Sequence, residues 1–450
     1  MSVGKLFTKQ LIPTLMGMVA SALFTVVDGI FVGNGIGSDA IAAVNISAPI
    51  FMIITGVGLM FGMGGGILAS INLSQGKSKV ANINITQSVI ALIIVSLIIT
   101  LVITVFPYKI AKLFGSDEYL MNMVVEYLFW FSISLPFTVM VVALPFFVRL
   151  TNPKIAMWAM LIATGCNIIL DYLFIFVFHW GLMGAAIATD ISECVGAIIM
   201  LVYLFRRSVA VRLVRLKLSI KSMLLFLRNI GYIIRIGFPV CLSEITISVM
   251  MIAGNYAFMR YLGADGVAAY SIICYLFPII FMVFNATVQS AQPIISYNYG
   301  CGQMERANKT LRLSISFAVA FALVITLFFM FFAENIVSLF VPDATSLPWK
   351  YAVFGLPLFA IDYLFFGINV IIIGYYTSIE RINRAVMLTL LRGVLPVIFF
   401  FFLPSLWGVT GIWLAVAVSD ATTTIIIVLL HVKDRITENG KTARRYSRML

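Results

Sequence analysis

The chain has 450 residues, is 62% hydrophobic and only 11% charged, and carries a formal net charge of +12. A soluble domain has roughly 25% charged residues, so a chain with a mean hydropathy of +1.08 lacks the polar residues to cover a surface in water. Composition therefore excludes a soluble protein, and the basic excess has to be explained within a membrane.

Twelve apolar windows follow one another along the chain. Each has about the 20 apolar residues that a helix needs to cross a bilayer. They predict an all-α integral membrane protein whose termini lie on one side, because the number of spans is even. The windows are 11–33, 47–73, 84–106, 121–147, 155–177, 183–205, 230–259, 267–296, 311–333, 350–373, 384–403 and 408–431.

The basic residues lie almost entirely on the side that holds the termini. That side has 24 of them, seven within 206–228, whereas the other side has four. Cytoplasmic loops are enriched in Lys and Arg, so both termini are predicted to be cytoplasmic. The charge is a topology signal, and no nucleic-acid partner is expected. Arg235 and Arg392 fall inside windows, near their cytoplasmic ends, and are expected to reach water.

The second half of the chain repeats the first. At an offset of 226 residues Pro13 falls on Pro239, and at an offset of 227 Gly181 falls on Gly408. Each repeat holds six spans, so the halves have the same orientation and are related by an axis along the membrane normal. Transporters built in this way bind substrate where the repeats meet and alternate between inward-open and outward-open states. The repeat therefore favours a carrier over a channel or a membrane enzyme.

The repeat also sets the predicted domains, which form two pseudo-symmetric six-helix bundles. The segment between them is either an amphipathic helix on the cytoplasmic surface or a loop. The domains are an N-terminal six-helix lobe at 1–205, a basic cytoplasmic linker at 206–228, a C-terminal six-helix lobe at 229–432 and a basic cytoplasmic tail at 433–450.

Eight acidic residues fall within the apolar windows. A charged group at mid-bilayer costs roughly 2.5–3.5 kcal/mol, so such residues usually face an interior cavity and serve a function. Asn167 and Asp171 are four residues apart, and so are Thr189 and Glu193, so each pair shares a helix face. Asp28, alone in the first window, is predicted to join them across the bundle. The candidate ion-coupling residues are Asp28, Asn167, Asp171 and Thr189, with Asp190, Glu193 and Glu244 as candidate further cavity acids.

These residue types suit the binding of a small cation. Carboxylate, amide and hydroxyl oxygens are ligands for Na⁺, and a buried carboxylate beside another one takes up a proton. The alternative for Asn167, Asp171 and Thr189 is interhelical hydrogen bonding without ion binding. Glu126 and Asp362 lie nearer window ends, where reaching towards water explains them equally well.

No nucleotide-binding loop provides another source of energy. The stretch "QGKS" at 75–78 resembles the end of a phosphate-binding loop, but Ile71 stands where its first glycine would have to be. Transport must then run on an ion gradient, and no cofactor is expected. Because the predicted cavity is net negative, cationic cargo is favoured over phosphate or other anions.

Several stretches resemble the multidrug and toxic compound extrusion (MATE) family. They are "VDGIFVGNGIGSDAIAAV", "NIILDYLFIF" followed by "WGLMGAAIAT", "QPIISYNYGCGQMERA" and "WGVTGIWLAVAVSD". The pattern points to its bacterial DinF-like or MepA-like branch. The resemblance implies twelve helices in two halves and export of lipophilic drugs in exchange for Na⁺ or H⁺. It assigns the cation site, including any Na⁺, to Asp28, Asn167, Asp171 and Thr189.

The resemblance also implies two helix bends, and at one stretch this chain departs from the family's pattern. Pro13 matches the proline at which the family's first helix bends, and Pro239 is its counterpart in the second repeat. Pro145 and Phe146 stand where the family often carries asparagines before an arginine. This departure leaves open whether the fourth helix contributes to the cation site.

We expect an antiporter, not an enzyme, that exports lipophilic, mostly cationic drugs by alternating access. Na⁺ or H⁺ is the coupling ion, and the monomer lies in the bacterial cytoplasmic (inner) membrane in contact with lipid. One alternative is a flippase for lipid-linked saccharide precursors with the same architecture. Its phosphate-bearing cargo calls for a ring of cavity arginines, which the sequence lacks. A non-transporting receptor or sensor is a further alternative.

Overall fold

The computed structural model describes the backbone of residues 2–114, 116, 118–206, 210–217, 219–341 and 343–446. The side chains of 24–26, 38, 41–42, 45, 48–49, 264 and 431–450 lie outside the description, and so do those of the predicted basic tail at 433–450.

Within these ranges the chain is helical, and no strand occurs in them. The loops between helices are short, as expected when backbone polar groups have to be satisfied within each spanning segment. The elements are α1 Val3–Gly35, α2 Ser38–Ser74, α3 Ser78–Val105, α4 Pro107–Leu113, α5 Met121–Ile133, α6 Leu135–Val148, α7 Pro153–Asp171, a π-helical turn Tyr172–Val177, α8 Gly181–Phe205, α9 Ile220–Gly300, α10 Met304–Phe340, α11 Leu347–Ala360, α12 Asp362–Ser378 and α13 Ile382–Tyr446.

The helices account for all twelve predicted windows. Among the described residues, nine helical stretches are long and apolar enough to cross a membrane, and two bent helix pairs bring the number to eleven. The stretch Ile382–Leu430 holds the last two windows, which meet at Gly408, where φ is 56°. Gly263 separates the seventh and eighth windows within α9 in the same way, with φ 68°. The all-α, twelve-helix membrane fold is confirmed.

The fourth and tenth spans are broken, which the hydropathy pattern does not predict. α5 and α6 meet at 58°, and α11 and α12 meet at 42°. A threonine from a neighbouring helix donates to a carbonyl at each break: Thr100 to Ser132 O at 2.9 Å, and Thr326 to Ala360 O at 2.8 Å. Thr100 and Thr326 are 226 positions apart, so the two halves of the chain repeat this hydrogen bond as well as their sequence.

The predicted linker is a loop followed by a helix. Residues 210–217 have no regular secondary structure, and α9 begins at Ile220, ahead of the predicted window at 230. Side chains of α3 hold the loop, because Arg212 N–H donates to Asn82 Oδ1 and Val214 N–H to Thr86 Oγ1, each at 3.0 Å.

The described chain divides into two compact units. The first consists of Met1–Ile245, Pro278–Ser314 and Gly374–Ile382, and the second of Thr246–Phe277, Ile315–Ile373 and Asn383–Leu450. In the first unit, glycines of α2 pack closely against α6 and the start of α9. The core of the second unit is aromatic and contains Phe258, Tyr270, Phe400 and Trp413. The lobe boundaries at 205 and 229 stay a prediction.

Candidate functional site

Three helices of the first unit bring the four predicted ion-coupling residues together. Asp28 lies on α1, Asn167 and Asp171 on the last turns of α7, and Thr189 on α8. Asn167 and Asp171 are 0% exposed and Thr189 is 5% exposed, whereas Asp28 is half-buried. The amide of Asn167 lies beside the carboxyl of Asp171 and 3.5 Å from the hydroxyl oxygen of Thr189. The expected i and i+4 pairing on α7 is therefore present.

The carboxyl groups of Asp28 and Asp171 lie close enough to each other to interact electrostatically. Neither oxygen of Asp171 has a donor among the described residues, and the same holds for Asp28 Oδ1 and Asn167 Oδ1. Buried acceptors without a donor are costly, and two carboxylates at this distance repel each other. The arrangement has the chemistry of a site for one cation, either a proton shared by the carboxyls or a metal ion bound by their oxygens.

A π-helical turn follows Asp171 directly and packs against α1. Such turns are rare and frequently occur at functional sites. The ring of Phe176 contacts that of Phe31 edge to face at 5.5 Å. A Cβ on Gly35 would lie 2.3 Å from Ile175 Cγ2, so only glycine permits this approach. These contacts hold the part of α1 that carries Asp28 against the end of α7.

The acids Asp190 and Glu193 are bound to the broken fourth span. Ser134, at the junction of α5 and α6, donates to Asp190 Oδ1. Thr138, one turn further on, donates to Glu193 Oε2. Both acids are half-buried. The fourth span, whose contribution the sequence left open, thus contacts the acids of α8.

Sequence reasoning missed Tyr127 on α5. Its side chain is 3% exposed, and it lies close enough to Asp28, Asp171, Asp190 and Glu193 to interact electrostatically with all four. A tyrosine in an aromatic-rich apolar window has no sequence signal that separates it from core packing. The rings of its neighbours Phe51 and Phe131 lie 4.1 Å apart between centroids and are tilted by 35°.

The remaining predicted residues lie on α1 and α9. Glu244 is half-buried beside Cys241, one turn beyond Pro239. Pro13 and Pro239 lie inside helical segments, so the chain stays helical on both sides of each proline. A bend at either proline stays a prediction.

Arg392 does not reach water, so that expectation is wrong. For Asp362, reaching towards water was one of two open explanations, and its burial does not support that one. Arg392 is 8% exposed and its Nε lies 3.1 Å from Asp420 Oδ1, while its guanidinium stacks on Phe366 at 4.5 Å. Asp362, the first residue of α12, is 0% exposed. It lies at the break between α11 and α12, inside the second unit.

Arg149, one of the 24 basic residues counted on the predicted cytoplasmic side, is also buried, at 2% exposure. It donates to the side-chain oxygen of Gln289, and its own carbonyl accepts from Gln10 Nε2 at 3.0 Å. Three residues from separate parts of the first unit are joined in this way.

Among the described residues no group of three or more His, Cys, Asp or Glu side chains has metal-binding geometry. A metal ion between Asp28 and Asp171 would thus draw its other ligands from amide, hydroxyl and main-chain oxygens. Asn167 Oδ1 and the hydroxyl of Thr189 supply the first two kinds, which suits a weakly held monovalent cation more than a resident transition metal.

The helical membrane fold and the buried polar site describe a multi-pass membrane transporter. The MatE family model matches residues 13–173 and 239–402, which is most of the chain. The chain belongs to this family of multidrug efflux transporters, and the resemblance found in its sequence is confirmed.

Known relatives and structures agree with this membership. "Multidrug export protein MepA" of Staphylococcus aureus (strain MRSA252) is 27% identical over 437 residues, covering 95% of this chain and 93% of the relative. The MepA of Staphylococcus haemolyticus (strain JCSC1435) is 26% identical over 429 residues, with the same coverage.

Solved structures share the fold. A MOP superfamily transporter from Pyrococcus furiosus has a TM-score of 0.89 at 21% identity and covers 97% of this chain and 96% of its own. An outward-facing multidrug resistance MATE family transporter of the same superfamily has a TM-score of 0.86 at 21% identity, covering 98% and 97%. At this identity the likeness shows the fold alone.

Proposed function

We propose that this transporter exports lipophilic, mostly cationic drugs in exchange for Na⁺ or H⁺ by alternating access. The observation that carries the proposal is the pair of neighbouring carboxyls, Asp28 on α1 and Asp171 on α7. Their buried oxygens, Asp28 Oδ1 and both oxygens of Asp171, have no donor among the described residues. A bound cation satisfies their oxygens, and its loss leaves like charges that push the two helices apart. Ion binding and helix position are linked in this way.

The acids around the pair support cationic cargo. Asp190 and Glu193 add two more carboxyls in the same unit, so the field that a drug meets there is negative. A positively charged drug gains from this field and competes with the coupling ion for it, which is the basis of exchange. The curated relatives, named as multidrug export proteins, support export as the direction.

The orientation and the membrane belong to the proposal. The excess of Lys and Arg on the terminal side supports cytoplasmic termini, in the bacterial cytoplasmic (inner) membrane. We propose that the transporter acts as a monomer.

Efflux from proteoliposomes tests the proposal directly. Full-length protein is reconstituted with a fluorescent lipophilic cation, and Na⁺ and proton gradients are imposed separately. We expect efflux with one of the two gradients and its loss in Asp28→Asn. Exposed Glu118→Gln is the matched control and keeps efflux. Efflux by Asp28→Asn with unchanged ion dependence would refute the coupling role.

The same vesicles distinguish the flippase alternative. A flippase for lipid-linked saccharides would move a pyrophosphate lipid analogue between leaflets and ignore the cationic dye. A receptor or sensor would move neither under any gradient.

A further inference from the structure

The start of α9 carries an apolar face that points away from the protein. Ile220, Met223, Leu224 and Leu227 have the spacing i, i+3, i+4 and i+7, which places them on one side of the helix. They are 86%, 58%, 65% and 60% exposed. The opposite side is tied down, because Asn229 Nδ2 donates to Gln87 Oε1 at 3.0 Å and to Asn84 Oδ1 at 3.3 Å.

These first turns are not needed to cross the bilayer. The helical stretch Ile220–Gly263 has 44 residues, or about 66 Å at 1.5 Å per residue. The hydrocarbon core is about 30 Å thick, and the predicted span begins only at 230. The apolar face at 220–227 therefore lies at the predicted cytoplasmic edge of the span, where headgroups meet acyl chains.

The charges around this face have one sign. Segment 206–228 contains seven basic residues and no acidic one. Arg215 and Lys217 precede the helix, Lys221 lies in its first turn and Arg228 follows the apolar face, and all four are exposed. The loop that carries Arg215 and Lys217 is held along α3 by the main-chain hydrogen bonds of Arg212 and Val214. The backbone of this loop is thus held in place, and Lys221 and Arg228 lie on the helix that follows it.

We propose that residues 210–217 and 219–228 form a binding surface for anionic phospholipid headgroups of the cytoplasmic leaflet. The apolar face enters the boundary between headgroups and acyl chains, and the four cations bind lipid phosphates. Basic clusters beside membrane helices attract anionic lipids in this way, and an apolar stripe with basic neighbours is typical of interfacial helices. This surface is separate from the ion-coupling site, and the proposal does not depend on what the protein transports.

Native mass spectrometry of the full-length protein, titrated with phosphatidylglycerol or phosphatidylcholine, tests the surface. The test variant removes all four cations: Arg215→Gln/Lys217→Gln/Lys221→Gln/Arg228→Gln. We expect its preference for phosphatidylglycerol over phosphatidylcholine to fall by about fivefold for each charge removed. The matched control is Lys5→Gln/Lys9→Gln/Lys77→Gln/Lys79→Gln, which removes four exposed lysines from the same predicted side and keeps the preference.

Two further results would overturn the proposal. An equal loss in both quadruple variants would mean that net charge alone attracts the lipid. Dimers in the same spectra that disappear in Ile220→Ser/Leu224→Ser would mean that a second copy of the chain covers the apolar face. With lipid as the partner, Ile220→Ser/Leu224→Ser lowers the binding of both lipids and leaves the protein monomeric.

Discussion

Gly237 of α9 lies directly against the main-chain carbonyl of Met60 on α2. A Cβ built on Gly237 would lie 1.9 Å from that oxygen. Gly64, one turn along α2, makes the reciprocal approach, since its Cβ would lie 2.3 Å from the carbonyl oxygen of Ile233. Two helices of the first unit thus meet backbone to backbone, which small residues allow in membrane proteins.

Gly237→Ala should prevent this contact. The added methyl meets main-chain atoms that cannot rotate away, so we expect loss of folded protein or a marked fall in melting temperature. Gly231→Ala lies on the same helix, where a Cβ meets nothing within 4 Å. Thermal unfolding in detergent, followed by size-exclusion fluorescence, should show Gly231→Ala at least as stable as the wild type. Equal stability of the two variants would contradict the contact.

Asp171→Asn should raise stability while abolishing ion-coupled efflux. An amide at 171 supplies a donor to Asp28 Oδ1, which has none among the described residues. Such a hydrogen bond is worth about 1 kcal/mol, and the change also removes the repulsion between the two carboxyls. The same change removes a charge that the coupling ion neutralises. Melting temperature and gradient-driven dye efflux are measured on one preparation, with Glu118→Gln as the control. A variant that is less stable and still coupled would show that the pair has a structural role only.

Ser134→Ala and Thr138→Val should each destabilise the first unit. Each change removes the hydroxyl donor of one acid on α8, and interhelical hydrogen bonds of this kind contribute about 1 kcal/mol in membrane proteins. Ser132→Ala is the control, because among the described residues the hydroxyl of Ser132 bonds to Phe129 O of its own helix and to no acid. Denaturant titration of the purified variants measures the difference, and identical midpoints for all three would argue against the hydrogen bonds.

Arg392→Gln should destabilise the second unit, and a second change should restore part of the loss. Removing one member of a buried ion pair leaves an uncompensated charge, at a cost of about 3–5 kcal/mol. Asp420→Asn added to Arg392→Gln removes that charge, so the double variant is expected to be more stable than Arg392→Gln alone. A double-mutant cycle in thermal unfolding provides the measurement, and strict additivity would show that the pair does not interact.

Hydropathy predicted the spans because each spanning helix satisfies its own backbone within a long apolar stretch. It did not predict the breaks at Ser134 and Ile361, where apolar residues continue on both sides. The signal that was available lies in the repeat: Thr100 and Thr326 occupy equivalent positions, and each bonds to a carbonyl at a break. Helix α9 begins ten residues before the predicted window, because Lys221 and Arg228 interrupt the apolar run that hydropathy follows.

The candidate site was predictable where helical spacing alone decides the geometry. The i and i+4 relation placed Asn167 and Asp171 on one face, and the cost of a charge in lipid singled out Asp28. The ion-coupling role of these residues stays a prediction. The position of an arginine in the sequence does not show which side chains it contacts in the fold. The burial of Arg149 and Arg392 therefore had no sequence signal. The contacts that bury them join residues from distant parts of the chain.

The turn Tyr172–Val177 gives the fifth span a tolerance to changes in length. A π-helical turn holds about one residue more than α geometry would place there, and that residue can be deleted while the segments on either side keep their direction. A deletion within α7, before Asp171, would instead rotate the residues that follow it by about 100° and move Asp171 away from Asp28. Natural variants and engineered chains with a shortened fifth helix should therefore lose their residue between 172 and 177, leaving the carboxyl aimed as before.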